Sequence, residues 1–169
     1  MKRERLVRKA LRLATAIVAL AAVGSSFGCA AMGKGTPKGP VMTLRMTATS
    51  RLNNCGKSVP QRLYYRVVQV TDAAPLAGMK LENIWDRESE MLGGAFVARG
   101  SDLSIEPNAS RPDAPVTLDP RTKAVVVIGN YCKTQGSCFF FSQALPAKKK
   151  KALAIDLTAD STCIGPTRH

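Results

Sequence analysis

From Val41 to Thr49 the chain alternates without a break: Met42, Leu44, Met46 and Ala48 interleave with Thr43, Arg45, Thr47 and Thr49. Successive side chains of a strand point to opposite faces, so this order specifies an extended segment with one face buried and the other in water. A second strand is expected from Arg62 to Val70, rich in Tyr and Val. Further strand-like runs cover Ala95–Arg99, Asp102–Glu106, Ala114–Leu118, Ala124–Tyr131, Cys138–Ala144 and Ala152–Leu157. Turn signals separate them at Pro107-Asn108, Arg111-Pro112, Asp119-Pro120, Thr134-Gln135-Gly136 and Lys148–Lys151. One stretch departs from this pattern. Leu81, Ile84, Trp85 and Leu92 fall at helical spacing before Gly93-Gly94, which predicts a short helix from Leu81 to Leu92. About eight short strands with one helix after the second predict an all-β, two-sheet antiparallel sandwich spanning residues 41–165.

The first 28 residues read as an export signal. Six basic residues precede an apolar run from Leu13 to Val23, and small residues lead to Cys29. That run is shorter than the roughly 20 residues a membrane-spanning helix needs. A cysteine at the cleavage point resembles the pattern of bacterial lipoproteins, which implies acyl chains on Cys29; ordinary cleavage after Ala31 is the alternative. Residues 29–40, rich in Gly, Pro and Lys, then form a flexible tether. Residues 29–169 hold 19 basic and 11 acidic side chains, a net charge of +8. Nucleic acid is an improbable partner for an exported chain, so anionic lipid or an acidic protein face is expected instead.

Five cysteines make an odd number, which Cys29 on lipid resolves. Cys55, Cys132, Cys138 and Cys163 remain and can pair two by two in three ways. The favoured pairing joins Cys132 to Cys138 across a short turn and Cys55 to Cys163. Zinc is disfavoured because the spacing lacks close cysteine pairs, and no metal or other cofactor is expected.

Catalysis has little to draw on. The one histidine, His169, is the last residue, and nucleophile–histidine arrangements therefore lack a base. The carboxylates Asp86, Glu88 and Glu90 are expected on a solvated surface. Trp85 is expected to pack on a sheet. The Phe139-Phe140-Phe141 run is expected to be buried under the helix, with a partner patch as the other option. Lys148–Lys151 is read as a solvated turn or an attraction to lipid head groups. The loop from Asn53 to Pro60 is polar, contains Gly56 and is held by Cys55, which suits a preorganised binding loop.

The order of the pieces resembles the TssJ family of type VI secretion lipoproteins. The resemblance rests on the lipoprotein signal, the Thr-rich strand ending in Leu52-Asn53, Arg66-Val67-Val68-Gln69-Val70, Ile84-Trp85, and Val126-Val127-Ile128-Gly129-Asn130-Tyr131. Pro107-Asn108 stands where that family often has Pro-Gly, and the four further cysteines are a departure. The resemblance implies a transthyretin-like sandwich without enzymatic activity, anchored at the periplasmic face of the outer membrane by acyl chains on Cys29. It also implies a multi-copy trans-envelope complex, in which Asn53, Asn54, Gly56, Lys57, Ser58 and Val59 contact the periplasmic C-terminal domain of a TssM-like inner-membrane protein. The competing expectation is a periplasmic sandwich binding a small molecule or glycan through Tyr64, Tyr65, Tyr131 and the Phe cluster.

Overall fold

The computed structural model describes residues 39–56, 59–146 and 153–168. Cys29, the signal, Lys57, Ser58, Lys148–Lys151 and His169 lie outside the described residues. Nine strands form two sheets: β1 (Val41–Ala48), β2 (Leu63–Val70), β3 (Phe96–Arg99), β4 (Leu103–Ile105), β5 (Ser110–Thr117), β6 (Ala124–Asn130), β7 (Phe140–Ala144), β8 (Leu153–Ala159) and β9 (Ile164–Pro166). One sheet runs β5-β1-β8-β9; the other runs β3-β2-β6-β7, with β4 also on β2. All pairs are antiparallel except β1 with β8, which run parallel.

The first sheet has one wet face. Met42, Leu44, Met46 and Ala48 are buried on β1, as are Ile155, Leu157 and Ala159 on β8, while the residues between them reach solvent. Its outer face carries Arg45, which bridges Asp113 and Asp156. The edge strand β5 holds Pro112 and Pro115 and begins earlier than the sequence predicts. Proline is tolerated there because an edge strand leaves a row of N–H groups unneeded. The β1–β5 register shifts between Leu44 and Met46, which absorbs the turn-like Arg111-Pro112 into a bulge.

The centre of the second sheet, along β2 and β6, is buried on both faces, and this explains the unbroken apolar run Ala124–Ile128 on β6. On β2, Tyr65, Val67 and Gln69 face the opposing sheet. Gln69 Nε2 donates to the Thr117 carbonyl at 2.9 Å, and its Oε1 accepts from Asp119 N at 2.8 Å and Thr122 Oγ1 at 2.7 Å. Arg66, Val68 and Val70 face outward beneath the helical segment. The predicted single helix is two short ones, α1 (Leu81–Ile84) and α2 (Glu88–Leu92). The break falls at Trp85–Arg87, where Asp86 takes φ +67°. Gly93, at φ +50°, ends α2 as the glycine signal indicates.

Arg66 accounts for that break. Its side chain is 1 % exposed, yet three carboxylates reach it. Nη1 donates to Glu88 Oε1 at 2.6 Å and to Asp86 Oδ1 at 3.0 Å, and Nη2 donates to Asp102 Oδ2 at 3.0 Å. Nε lies 2.8 Å from Asp102 Oδ1 as a close ion pair without an aligned hydrogen bond. The guanidinium stacks on Trp85, 3.8 Å from the ring centroid. Asp102 reaches the cation because the β2 register slips by one residue between β3 and β4, around Gly100. One expectation is corrected here, and the packing expected of Trp85 is found. Glu88 is 2 % exposed and is not a solvated carboxylate, because a buried cation needs a counter-charge. Trp85 is half-buried, and the guanidinium of Arg66 stacks on its ring.

Removing one member of a buried ion pair strands the other, at about 3–5 kcal/mol. Arg66→Ala should therefore cost about that much in urea unfolding, whereas Arg66→Met with Glu88→Leu should recover most of the loss. An Arg66→Ala protein as stable as the parent would show that the cluster contributes nothing.

Candidate interaction surface

The connections β1–β2, β6–β7 and β8–β9 emerge at one end of the sandwich, and both disulfides lie there. Cys55 is bonded to Cys132, with Cα atoms 5.3 Å apart, and Cys138 to Cys163, with Cα atoms 4.5 Å apart. The expected pairing is thus corrected. In the β6–β7 hairpin Ile128 faces Phe140, a register that leads Cys138 toward Asn130 and away from Cys132. The unforeseen strand β9 runs alongside instead, with Ile164 N donating to the Cys138 carbonyl at 2.9 Å. In the chain-entropy model, bonds closing 77 and 25 residues contribute about 4.5 and 3.5 kcal/mol.

Asn53 organises this end. It is 5 % exposed, and its backbone sits at φ +46°, which asparagine tolerates better than most residues. Its Nδ2 donates to the Arg62 carbonyl at 3.0 Å, closing the base of the β1–β2 loop. Its Oδ1 accepts from the Cys132 N–H at 3.0 Å, tying that loop to β6–β7. Asn53 therefore ties the loop from beneath, with its side chain buried. Its amide is spent inside the chain. Asn54 is half-buried and its Oδ1 accepts from Gly56 N. Gly56, at φ +73°, is exposed, and Val59 is 66 % exposed.

Asp160 supports the same end from β8–β9. Thr49 Oγ1 donates to its Oδ1 at 2.6 Å and Arg51 Nη2 to its Oδ2 at 3.0 Å. The Thr49 hydrogen bond, aided by Arg51, holds this carboxyl below its ordinary value. Tyr131 donates its hydroxyl to the Cys163 carbonyl at 2.7 Å, and burial pushes its pKa up, so the phenol stays neutral. Pro107-Asn108 closes the neighbouring β4–β5 turn. Asn108 adopts φ +60°, so asparagine does here what glycine would do in Pro-Gly.

The aromatics expected to bind a ligand are mostly core. Tyr65, Tyr131 and Phe139 are buried, Phe140 and Phe141 are partly buried, and Tyr64 is exposed. A cleft of about 360 Å³ opens elsewhere, between β3–β4 and β5, over Val67, Leu103 and Val116, with no aromatic in its lining.

The Type VI secretion lipoprotein family, described under the names VasD, EvfM and TssJ, matches residues 40–160. Solved structures share the fold at low identity. The lipoprotein TssJ1 from Pseudomonas aeruginosa superposes with a TM-score of 0.66 at 16% identity, over 78% of this chain and 97% of that one. Serratia marcescens Lip, a membrane-bound component of the Type VI Secretion System, gives 0.67 at 14%, over 76% and 98%. A chain of a Type VI membrane complex gives 0.65 at 13%, over 78% and 100%. No curated protein sequence matches.

Asp160 has a lower pKa folded than unfolded. It therefore stabilises the fold above the ordinary carboxyl value of 3.8, and that contribution disappears as pH falls through the depressed value. Asp160→Asn should melt lower at neutral pH and lose less further stability below about pH 4 than the parent, by thermal circular dichroism. Parallel pH profiles for the two proteins would refute the assignment.

With a family match over residues 40–160 and a sandwich that superposes on solved relatives across more than three-quarters of its length, the chain belongs to the type VI secretion lipoprotein family.

Proposed function

We propose that the chain is lipidated at Cys29 and serves as a scaffold at the periplasmic face of the outer membrane. There its β1–β2 loop holds the periplasmic C-terminal domain of a TssM-like inner-membrane protein within a multi-copy secretion complex. Membership in the lipoprotein family and likeness to a chain of a Type VI membrane complex support the reading. One geometric observation carries it. The N-terminal side of the domain enters β1 at Val41, whereas the β1–β2 loop leaves the far end of that strand after Ala48. At about 3.3 Å per residue the two points are separated by roughly 25 Å. Pro40 is fixed at the first end, its carbonyl accepting from Leu118 N at 2.9 Å. A lipid on the N-terminal side would then hold one end near the membrane and direct the cross-linked loops away from it.

The two halves of the reading are tested separately. Cys29→Ser should move the protein from the membrane to the soluble periplasmic fraction; unchanged membrane partition would remove the anchor. Val59→Asp should weaken capture of the purified TssM-like periplasmic domain at least about tenfold, because a charge replaces an exposed apolar contact. Undiminished capture would remove the loop from the interface.

A further inference from the structure

We propose that the partner is gripped by two loops, with Lys133–Ser137 of the β6–β7 connection forming the second half of the surface and Lys133 meeting an acidic protein face. This rests on the reading that the β1–β2 loop binds a partner, and it adds a second contact and the charge of that partner.

Three observations bring the loops together. The Cys55–Cys132 bond joins them covalently. The Asn53 amide accepts from the Cys132 N–H directly beside it. The Lys133 ammonium lies over the β1–β2 loop, where a Cβ on Gly56 would fall 3.4 Å from Nζ. Lys133, Gln135, Gly136 and Ser137 are all exposed, so the β6–β7 loop offers a surface and not a packed connection. Val59 is three residues from Gly56, within about 11 Å of chain.

Charge then selects the partner. The nearby carboxylates are already engaged, Asp160 by Arg51 and Glu106 by Arg62. Among the described residues Lys133 makes no ion pair, and its ammonium lies over Gly56. An exposed apolar side chain within about 11 Å of chain from Gly56, and an ammonium that makes no ion pair among the described residues, match the layout of an interface with an apolar centre and a charged rim. An acidic face on the partner would complete it, raising the association rate and fixing the register. The disulfide holds both loops in place before the encounter, which lowers the ordering cost of binding.

The test measures the affinity of the oxidised mature chain for the TssM-like periplasmic domain at low and high salt. Lys133→Glu should weaken binding about tenfold, mainly through slower association, and flatten the salt dependence. Cys55→Ser combined with Cys132→Ser should weaken it by a similar factor while unfolding stays cooperative, since Cys138–Cys163 remains. Lys133 is exposed, so its substitution does not threaten folding. If Lys133→Glu stays within about twofold of the parent, the span of an ordinary surface change, while Val59→Asp abolishes capture, the two-loop surface is overturned and the single-loop grip stands. An unchanged affinity of the double cysteine variant overturns the role given to the disulfide. A parent chain that fails to bind overturns both readings.

Discussion

Burial of the middle of the second sheet on both faces governs much of what surrounds it. A sheet with one wet face can place any polar side chain outward, as Thr43, Arg45 and Thr47 show on β1. The middle of the second sheet has no such outlet, so Arg66 on β2 must bring its own solvation with it. Asp86, Glu88 and Asp102 provide that solvation, together with the face of Trp85. They come from α1–α2 and the β3–β4 break, which are the segments that cover this face. Replacing such a cluster with apolar residues is often neutral, so its value lies less in net stability than in orientation. The cation fixes where the helical segment sits, and the helical segment keeps water from the cation.

At the loop end order is maintained differently. Connections at the end of a sandwich have little apolar surface to bury and would ordinarily stay mobile. Here a chain of bonds runs Cys55–Cys132, through the β6–β7 loop, to Cys138–Cys163. Asn53 adds hydrogen bonds to Arg62 and Cys132, and Asp160 adds bonds to Thr49 and Arg51. Three connections are therefore tied to one another, over the buried side chains of Leu52, Tyr131, Phe139 and Ile164. Such a surface can accept load without paying the ordering entropy at each encounter.

The sandwich was legible in the sequence where local pattern and final environment agree. β1 alternates because one of its faces is wet, and β6 reads as a continuous apolar run because neither is. Where an outcome depended on residues distant in sequence, local pattern gave no signal. Glu88 has an ordinary carboxylate's sequence context, and it is Arg66, 22 positions earlier, with Arg99, that makes it a core residue. The cysteine pairing likewise depended on β9, a three-residue strand too short to show a period. Arg111-Pro112 carried a true turn signal, which the edge position of β5 absorbed as a bulge. The connection between β1 and β2 was legible from its composition. The division of labour within it was not, because the buried role of Asn53 follows from its contact with Cys132, 79 positions away.

The basic charge of this chain divides by residue type. Among the described residues, the cations in ion pairs are all arginines: Arg45, Arg51, Arg62, Arg66, Arg87, Arg99 and Arg121. Several of these hold connections or covering segments to the sheets. A planar guanidinium suits that work because it binds carboxylates through fixed, directional forks. Lys80, Lys123 and Lys133 make no ion pair among the described residues. A lysine presents a compact, hydrated charge that acts at a distance, with little demand on geometry. Seven arginines thus neutralise most of the acidic side chains internally, and much of the net positive field that remains belongs to the lysines. The field that an approaching partner meets is therefore set by residues that the fold itself does not require, and those residues are free to match whatever the partner presents.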